Sequence, residues 1–272
     1  MKLSDLEKLS SDMSKTPLMP AIFFGHGSPM NAIELNEFSQ TWRNIAKNIP
    51  TPNAILCISA HWETKGTQIT AMEKPKTIHD FGGFPQALFD VQYPASGSAD
   101  LVAETKKLVT LAHIEEDHQW GLDHGTWSVL NHLYPNADIP VVQLSLDYSK
   151  NEEHHYNIGA QLLELRKKGF LIIGSGNMVH NLGMIDWKNP DGGYAWADEA
   201  NEMFKQKILS KDHKALFNYK ELGQAAKLSI PSPEHYRPLM YILALQQEKE
   251  NPSFFNDKAM MGSISMTGVI IS

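Results

Sequence analysis

The 272-residue sequence predicts an α/β fold in one domain, a central mixed, mostly parallel sheet with helices on both faces. Three observations predict it. Apolar runs at residues 21–24, 54–60, 140–146 and 170–173 have too little alternation for half-exposed strands and read as strands buried on both faces. Amphipathic helical stretches separate them, which makes βαβ units the economical connection. Three of the runs end on, or a few residues before, a histidine: His26, His61 and His180. Ligands of open α/β sheets collect at the carboxyl ends of strands, so three imidazoles delivered to one rim suggest a metal.

Residues 1–18 read as a short helix or tail before a domain spanning 19–272. After the first strand, Gly25-His26-Gly27-Ser28-Pro29 is a turn whose glycines let the backbone pass close to whatever His26 holds. A helix over 37–47 follows, then Pro50 and Pro52, then the strand ending at His61-Trp62. Residues 68–72 form a strand. Residues 77–86 are rich in Gly, Pro and aromatics and read as a long ordered loop. Its His79, Phe81 and Phe84 either wall a pocket for a flat substrate or plug the core.

A helix is predicted over 99–111. Asp123 and His124 lie between two tryptophans ahead of a helix at 128–134, either as a satisfied Asp–His pair or as pocket residues. Residues 152–168 read as one helix stopped by Gly169, with His154 and His155 facing solvent. Residues 196–209 are helical, and residues 231–238 open a helix running through Gln247, with Ser232 as cap and Glu234 and His235 in its first turn. Residues 263–271 are strand-like.

Composition narrows the function classes. Lys and Arg total 24 against 31 Asp and Glu, a net charge of −7 without a consecutive basic block, which argues against a nucleic-acid or anionic-membrane surface. Cys57 is the sole cysteine and lies mid-strand, as a packed small hydrophobe rather than a nucleophile. Residues 1–15 lack the apolar core of a secretory signal and no run approaches the ~18 apolar residues of a spanning helix, so the expected location is cytoplasmic. Gly174-Ser175-Gly176-Asn177 lacks the lysine of a phosphate loop and the full dinucleotide fingerprint.

Of the 12 histidines, His113, His132, His154, His155 and His213 sit in helical or linker contexts without a partner pattern, and His118 is similar. His26, His61, His180 and His235 each follow a strand end or open a helix at a Gly- or Pro-marked turn. They lie far apart in sequence, with no short metal motif to join them.

Six segments resolve this: Gly25-His-Gly-Ser-Pro-Met30, Ser59-Ala-His-Trp62, Ile78-His-Asp-Phe-Gly-Gly-Phe-Pro85, Leu122-Asp-His-Gly-Thr-Trp127, Ser175-Gly-Asn-Met-Val-His-Asn181 and Pro231-Ser-Pro-Glu-His-Tyr236. Together, in this order, they resemble the DOPA 4,5-extradiol dioxygenase family, class III extradiol ring-cleaving enzymes related to the protocatechuate 4,5-dioxygenase catalytic subunit. The resemblance implies one divalent metal on His26, His61 and a third ligand from the Glu234–His235 pair. His235 matches the DOPA-type branch, and a glutamate serves in the protocatechuate-type relatives. It implies Fe(II) for turnover, with Zn(II) an alternative occupant of the resting site and His180 its fourth ligand. It implies that His180 is the acid/base, that His124 hydrogen-bonds developing charge on oxygen, and that the partners are a small catecholic substrate and O2. The competing readings are a zinc hydrolase using the same histidines to activate water and a binding protein on the same fold.

Overall fold

The computed structural model describes residues 18–272, so all but Leu18 of the expected tail lies outside the described residues. The strands are β1 Ala21–Gly25, β2 Ala54–Thr64, β3 Thr67–Thr70, β4 Ile114–Asp117, β5 Val141–Asp147, β6 Phe170–Gly176, β7 Pro252–Phe255, β8 Ala259–Met260, β9 Ile264–Ser265 and β10 Gly268–Ile271. Eight of them form one sheet in the order β4-β3-β5-β2-β6-β1-β10-β7, and β8 and β9 form a separate pair. The centre is parallel, β5-β2-β6-β1, and β10 and β7 extend it antiparallel.

The helices are α1 Glu37–Asn48, α2 Gln86–Phe89, α3 Ala99–Leu108, α4 His124–Leu133, α5 Glu152–Gln161, α6 Leu163–Lys167, α7 Ala195–Leu209, α8 His213–Phe217, α9 Gln224–Ser229 and α10 Arg237–Leu243. They cover both faces of the sheet. Ile22, Phe24, Ile55, Cys57, Leu171 and Ile173 pack with Trp42 of α1 and Trp127 of α4. Their strand neighbours Ala21, Phe23, Leu56, Ile58 and Ile172 pack on the other face with Leu101, Ile158, Leu165, Phe204 and Leu239. Successive side chains point to opposite faces, and both faces are dry, which is why these strands show no polar alternation. Among the described residues, no helix is long and apolar enough to cross a membrane.

Four expectations are corrected. The predicted 152–168 helix breaks at Leu162, whose N–H bonds Gly159 O in a tighter turn, separating α5 from α6. His155 does not face solvent: it is fully buried and its Nδ1 lies 3.1 Å from the Tyr241 hydroxyl, because Gly159 lets α5 approach the α10 backbone closely; His154 is half-buried. The last predicted helix is only Arg237–Leu243. Tyr236 and Arg237 N–H both bond Pro233 O, and Ser232 Oγ donates to Glu234 Oε1 rather than capping, so Glu234 and His235 occupy a turn ahead of the helix. The 263–271 segment splits into β9 and β10, with Met266 N–H bonded to Lys258 O between them. Smaller shifts are the earlier end of α3 at Leu108 and the start of α4 at His124, four residues before the expected helix.

Opposite the histidine rim, Arg166 is fully buried. Its Nε donates to Met19 O (2.6 Å), Nη1 donates to Leu245 O (2.6 Å) and Glu250 Oε2 (2.9 Å), and the third guanidinium nitrogen donates to Glu250 Oε1. It thereby ties the entry to β1 to the chain leaving α10. Glu250→Ala strips this buried cation of its one carboxylate partner among the described residues and is expected to cost about 3–5 kcal/mol, read as a lower urea midpoint at unchanged slope. A loss below about 1 kcal/mol would mean that the carbonyls alone satisfy the guanidinium.

Candidate metal centre

Register brings the strand ends together. Gly25 of β1 lies opposite Gly176 of β6, and Ser175 opposite Ser59 of β2, so the chain leaves three adjacent strands at one level. His26 follows β1 directly. In β2, Ile58 pairs with Leu144 and Glu63 with Leu146, so residues 59–62 sit opposite a single residue of β5. Such a bulge re-aims side chains, here turning His61 onto the rim. His180 lies four residues past β6, its N–H bonded to Ser229 O. His235 comes from the turn before α10, tied to β6 by the Asn177 N–H···O=C His235 bond of 2.9 Å.

The rings of His26, His61 and His235 form a nearly equilateral triangle, with centroid separations of 5.1, 5.1 and 5.0 Å. Each Nδ1 faces an acceptor. Ser175 donates its hydroxyl hydrogen to Gly125 O, so its oxygen accepts from His26 Nδ1 at 2.9 Å. Asn177 Nδ2 donates to Ser265 O, which places its amide oxygen 3.2 Å from His235 Nδ1 as acceptor. His61 Nδ1 faces Asp80 Oδ2 at 3.4 Å. A neutral imidazole that donates through Nδ1 has its lone pair on Nε2. The His26 and His61 Nε2 atoms lie 3.2 Å apart. Two ligands of one ion at metal–nitrogen distances of about 2.0–2.1 Å and angles of 90–109° lie about 2.9–3.4 Å apart, so this donor set fits a metal.

Burial, and secondarily the neighbouring imidazoles, hold His26 and His235 well below the ordinary histidine range. Burial likewise pushes His61 down to about 3, with His124 adding to the effect and Asp80 opposing it. His180 is lowered to about 4 by burial and by His124. All four are neutral at pH 7, the state that metal ligation requires. His180 stacks on His235 at 3.5 Å with the ring planes 9° apart. Glu234 is half-buried, with a carboxylate oxygen within 4.8 Å of donor atoms of both His180 and His235.

His124 is the first residue of α4, its ring 3.9 Å from that of His61, and its potential donor atom lies within 4.8 Å of those of His26 and His61. Its carboxylate partner is Asp80, not the adjacent Asp123: Asp80 Oδ1 accepts its backbone N–H and Oδ2 its Nδ1, both at 2.9 Å. Asp123 is buried behind the site, where it caps α4 and accepts from Ser59 Oγ and Gln143 Nε2. Burial raises Asp123; it also pushes Asp80 upward, but there the hydrogen bonds from His124 and the charge interactions with His124 and His61 together hold the carboxyl below its ordinary value.

The 77–86 segment is the expected ordered loop, pinned by the Thr77–Leu122 bridge and by Trp127 Nε1 donating to Ile78 O at 2.8 Å. Phe81 reaches the site, its ring edge-on to His124 at 5.5 Å, and Phe84 stacks edge-on behind Phe81 at 5.4 Å. His79 points away: its Nε2 binds Val91 O and its ring packs among Phe81, Phe89 and Trp127. The bland histidines remain bland. His132 accepts from Arg43 and donates to Asn31 O, His213 pairs with the Tyr156 hydroxyl, and His113 and His118 are exposed.

Sequence reasoning assigned no role to Asp80, Ser175 or Asn177. Their signal was adjacency: Asp80 sits inside the 78–85 segment, and Ser175 and Asn177 at the end of a buried strand where an apolar run turns polar. Two close approaches also matter. A Cβ on Gly176 would lie 2.1 Å from His235 O, and one on Gly125 2.8 Å from His61 Cδ2, so both glycines let neighbouring backbone reach the imidazoles.

A mostly parallel sheet carrying a rim of neutral histidines, each with an acceptor behind it, defines an α/β protein of the metalloenzyme class. Residues 15–268 match the family described as the catalytic LigB subunit of aromatic ring-opening dioxygenase. The chain is similar to a 4,5-DOPA dioxygenase extradiol of Escherichia coli (strain K12), 44% identical over 93% of this chain and 94% of the relative. It is also similar to a 4,5-DOPA dioxygenase extradiol of Mirabilis jalapa, 36% identical over 85% and 87%. The crystal structure of an uncharacterized protein from Escherichia coli K12 superposes with a TM-score of 0.82 at 39% identity, covering 93% of this chain and all of the other. The chain therefore belongs to the LigB family and is an extradiol aromatic ring-opening dioxygenase.

Depressed histidine pKa values set the acid behaviour of the metal-free protein. Unfolded histidines bind protons below pH ~6.5, whereas the folded ones stay neutral down to about 4 for His180 and about 3 for His61. The unfolded state therefore binds more protons in this window, and stability present above pH ~6.5 is lost as pH falls through it. Metal-free protein is expected to melt at progressively lower temperature from pH 7 to pH 5, and His180→Phe to flatten that slope. Calorimetry showing equal slopes for the two proteins would contradict this assignment.

Proposed function

We propose that the protein opens catechol rings of the DOPA type by 4,5-extradiol cleavage, with one non-haem Fe(II) on His26, His61 and His235. The observation that carries this reading is the equal-sided triangle of imidazoles, each backed at Nδ1. Of the two candidates for third ligand, His235 is supported over Glu234. It is buried and fixed on Asn177, whereas Glu234 is half-buried and accepts from Ser232 at 2.8 Å. When bound, the iron supplies simultaneous binding of a catechol and dioxygen and electronic coupling between them.

The remaining chemistry falls to side chains. A catechol that binds through both oxygens must give up protons, and His180, neutral at pH 7, is the group free to accept one and later return it. The anion thus formed offsets the burial that otherwise keeps His180 neutral. His124, with Nδ1 donating to Asp80, turns Nε2 toward the centre, where that nitrogen accepts a hydrogen bond or proton from the bound substrate and, once protonated, donates to charge developing on oxygen. Phe81 and Phe84 provide an apolar wall for a flat ring. If the substrate is DOPA, the opened product cyclises to a betalamic-acid-type compound without further enzymic help.

A second reading has one observation behind it: three neutral histidines without a carboxylate also make a catalytic zinc site. Oxygen consumption separates the two. Anaerobic reconstitution with Fe(II) followed by a catechol panel should give stoichiometric O2 uptake and a coloured ring-opened product. No uptake with any catechol, together with ester hydrolysis in the zinc form, would favour the hydrolase.

Two sets of variants test the roles. His26→Ala and His61→Ala should lose metal while staying folded, as measured by elemental analysis and circular dichroism. His180→Phe should keep iron and bind catechol while turnover falls by about 10²–10⁴-fold. Near-normal oxygen uptake by His180→Phe would remove it from the reaction.

A further inference from the structure

We infer that Asp80 is a positioning residue that holds His61 and His124 in their Nδ1–H tautomers with a single carboxylate oxygen, keeping both Nε2 atoms available to the centre. This rests on the metal-centre reading above. Asp80 Oδ2 accepts from His124 Nδ1 at 2.9 Å and faces His61 Nδ1 at 3.4 Å, while Oδ1 accepts the His124 backbone N–H at 2.9 Å. A carboxylate is acceptor-only, so every hydrogen in this cluster must come from the histidines.

Its place is well determined. Ile78 N–H bonds Leu122 O at 2.7 Å and Trp127 Nε1 holds Ile78 O two residues upstream, so the loop delivers Asp80 against the start of α4 with little freedom. Asp80 lies outside the strands that carry the ligand candidates, yet it touches one of them and the residue beside it. The aromatic loop and the imidazole cluster are thereby fastened together: a loop that shifts loses the acceptor that sets both rings.

The bland alternative is that Asp80 merely caps α4. The two roles predict opposite orders for two substitutions. In Asp80→Asn, an amide oxygen at the Oδ1 position preserves the bond from the His124 backbone, but the NH2 group then faces both Nδ1 atoms. Two donors cannot share that space with a third, so His61 and His124 must accept at Nδ1 and carry hydrogen on Nε2, where it blocks ligation by His61. Turning the amide over only moves the clash to the His124 N–H. Asp80→Ala removes the acceptor without imposing the wrong tautomer. A cap role makes Asn milder than Ala, and a tautomer role makes Asn the worse of the two.

The test uses full-length wild type, Asp80→Asn and Asp80→Ala, each first checked for cooperative thermal unfolding. Long-range ¹H–¹⁵N spectra of the metal-free proteins report histidine tautomers, and Co(II) titration followed by its visible absorption reports affinity. Expected for Asp80→Asn are a shift of two histidines from the Nδ1–H to the Nε2–H pattern and Co(II) binding about 10–100-fold weaker, with Asp80→Ala intermediate. Unchanged tautomers in Asp80→Asn, wild-type Co(II) affinity in that variant, or weaker binding by Ala than by Asn each overturns the inference. Should wild type itself take no Co(II), the metal reading fails, and the tautomer spectra still decide on Asp80. If Asp80→Ala does not fold, the spectra of Asp80→Asn against wild type decide alone.

Discussion

A buried imidazole that must stay neutral and present one chosen nitrogen needs an acceptor behind the other nitrogen, and much of this structure is arranged to supply such acceptors. Ser175, Asp80 and Asn177 stand behind His26, His61 and His235. None belongs to the same strand or turn as the histidine it backs. Ser175 and Asn177 in turn are oriented by Gly125 O and Ser265 O. The rim is therefore a network in which helix α4, the end of β6, the β9 segment and the 77–86 loop must all be in place before the three nitrogens converge.

That requirement accounts for the tightness of the surrounding backbone. Gly176 and Gly125 lie where any side chain would meet the carbonyl of His235 or the ring of His61. The bulge in β2 is a comparable device, since an unbroken β5 pairing would alternate Ser59, Ala60 and His61 across the sheet faces instead of turning His61 to the edge. On the opposite side of the sheet, the buried Arg166 makes the corresponding closure for the chain ends. Rigid strands thus set the level of the site, and turns and loops set its chemistry.

The relation between the electrostatics and the function is direct. Histidines held neutral by burial are poor proton carriers by themselves but good ligands, and only a group that meets a newly charged substrate regains basicity. His180 differs from the triangle in that respect. It is stacked on His235 and is bonded through its backbone alone, to Ser229. In the proposed reaction the same burial serves two purposes, ligation at three positions and proton transfer at a fourth.

The sheet class, the buried strands at 21–24, 54–60, 140–146 and 170–173, and the histidines at their ends were legible in the sequence because apolar runs and strand-end positions are local properties. The resemblance of six ordered segments likewise pointed to the family, since residue identity at spaced motifs needs no geometry. Helix ends near Leu162 and Arg237 were less legible. A tightened turn at Leu162 and a Pro233-centred turn before Arg237 depend on which carbonyls remain available once α5 and α10 pack. His155 looked exposed on a polar helix face and is buried, because only the folded chain brings Tyr241 against it. Nor could the sequence choose His124's partner: Asp123 is adjacent, yet its carboxylate turns inward to Ser59 and Gln143, and Asp80, 44 residues away, takes the imidazole. Sequence by itself determined which residues could bind a metal and that His26 and His61 ride on strand ends, but not that His235 sits in a turn ahead of its helix. Only the tertiary structure decided which nitrogen each presents, because a tautomer is set by an acceptor arriving from elsewhere in the chain.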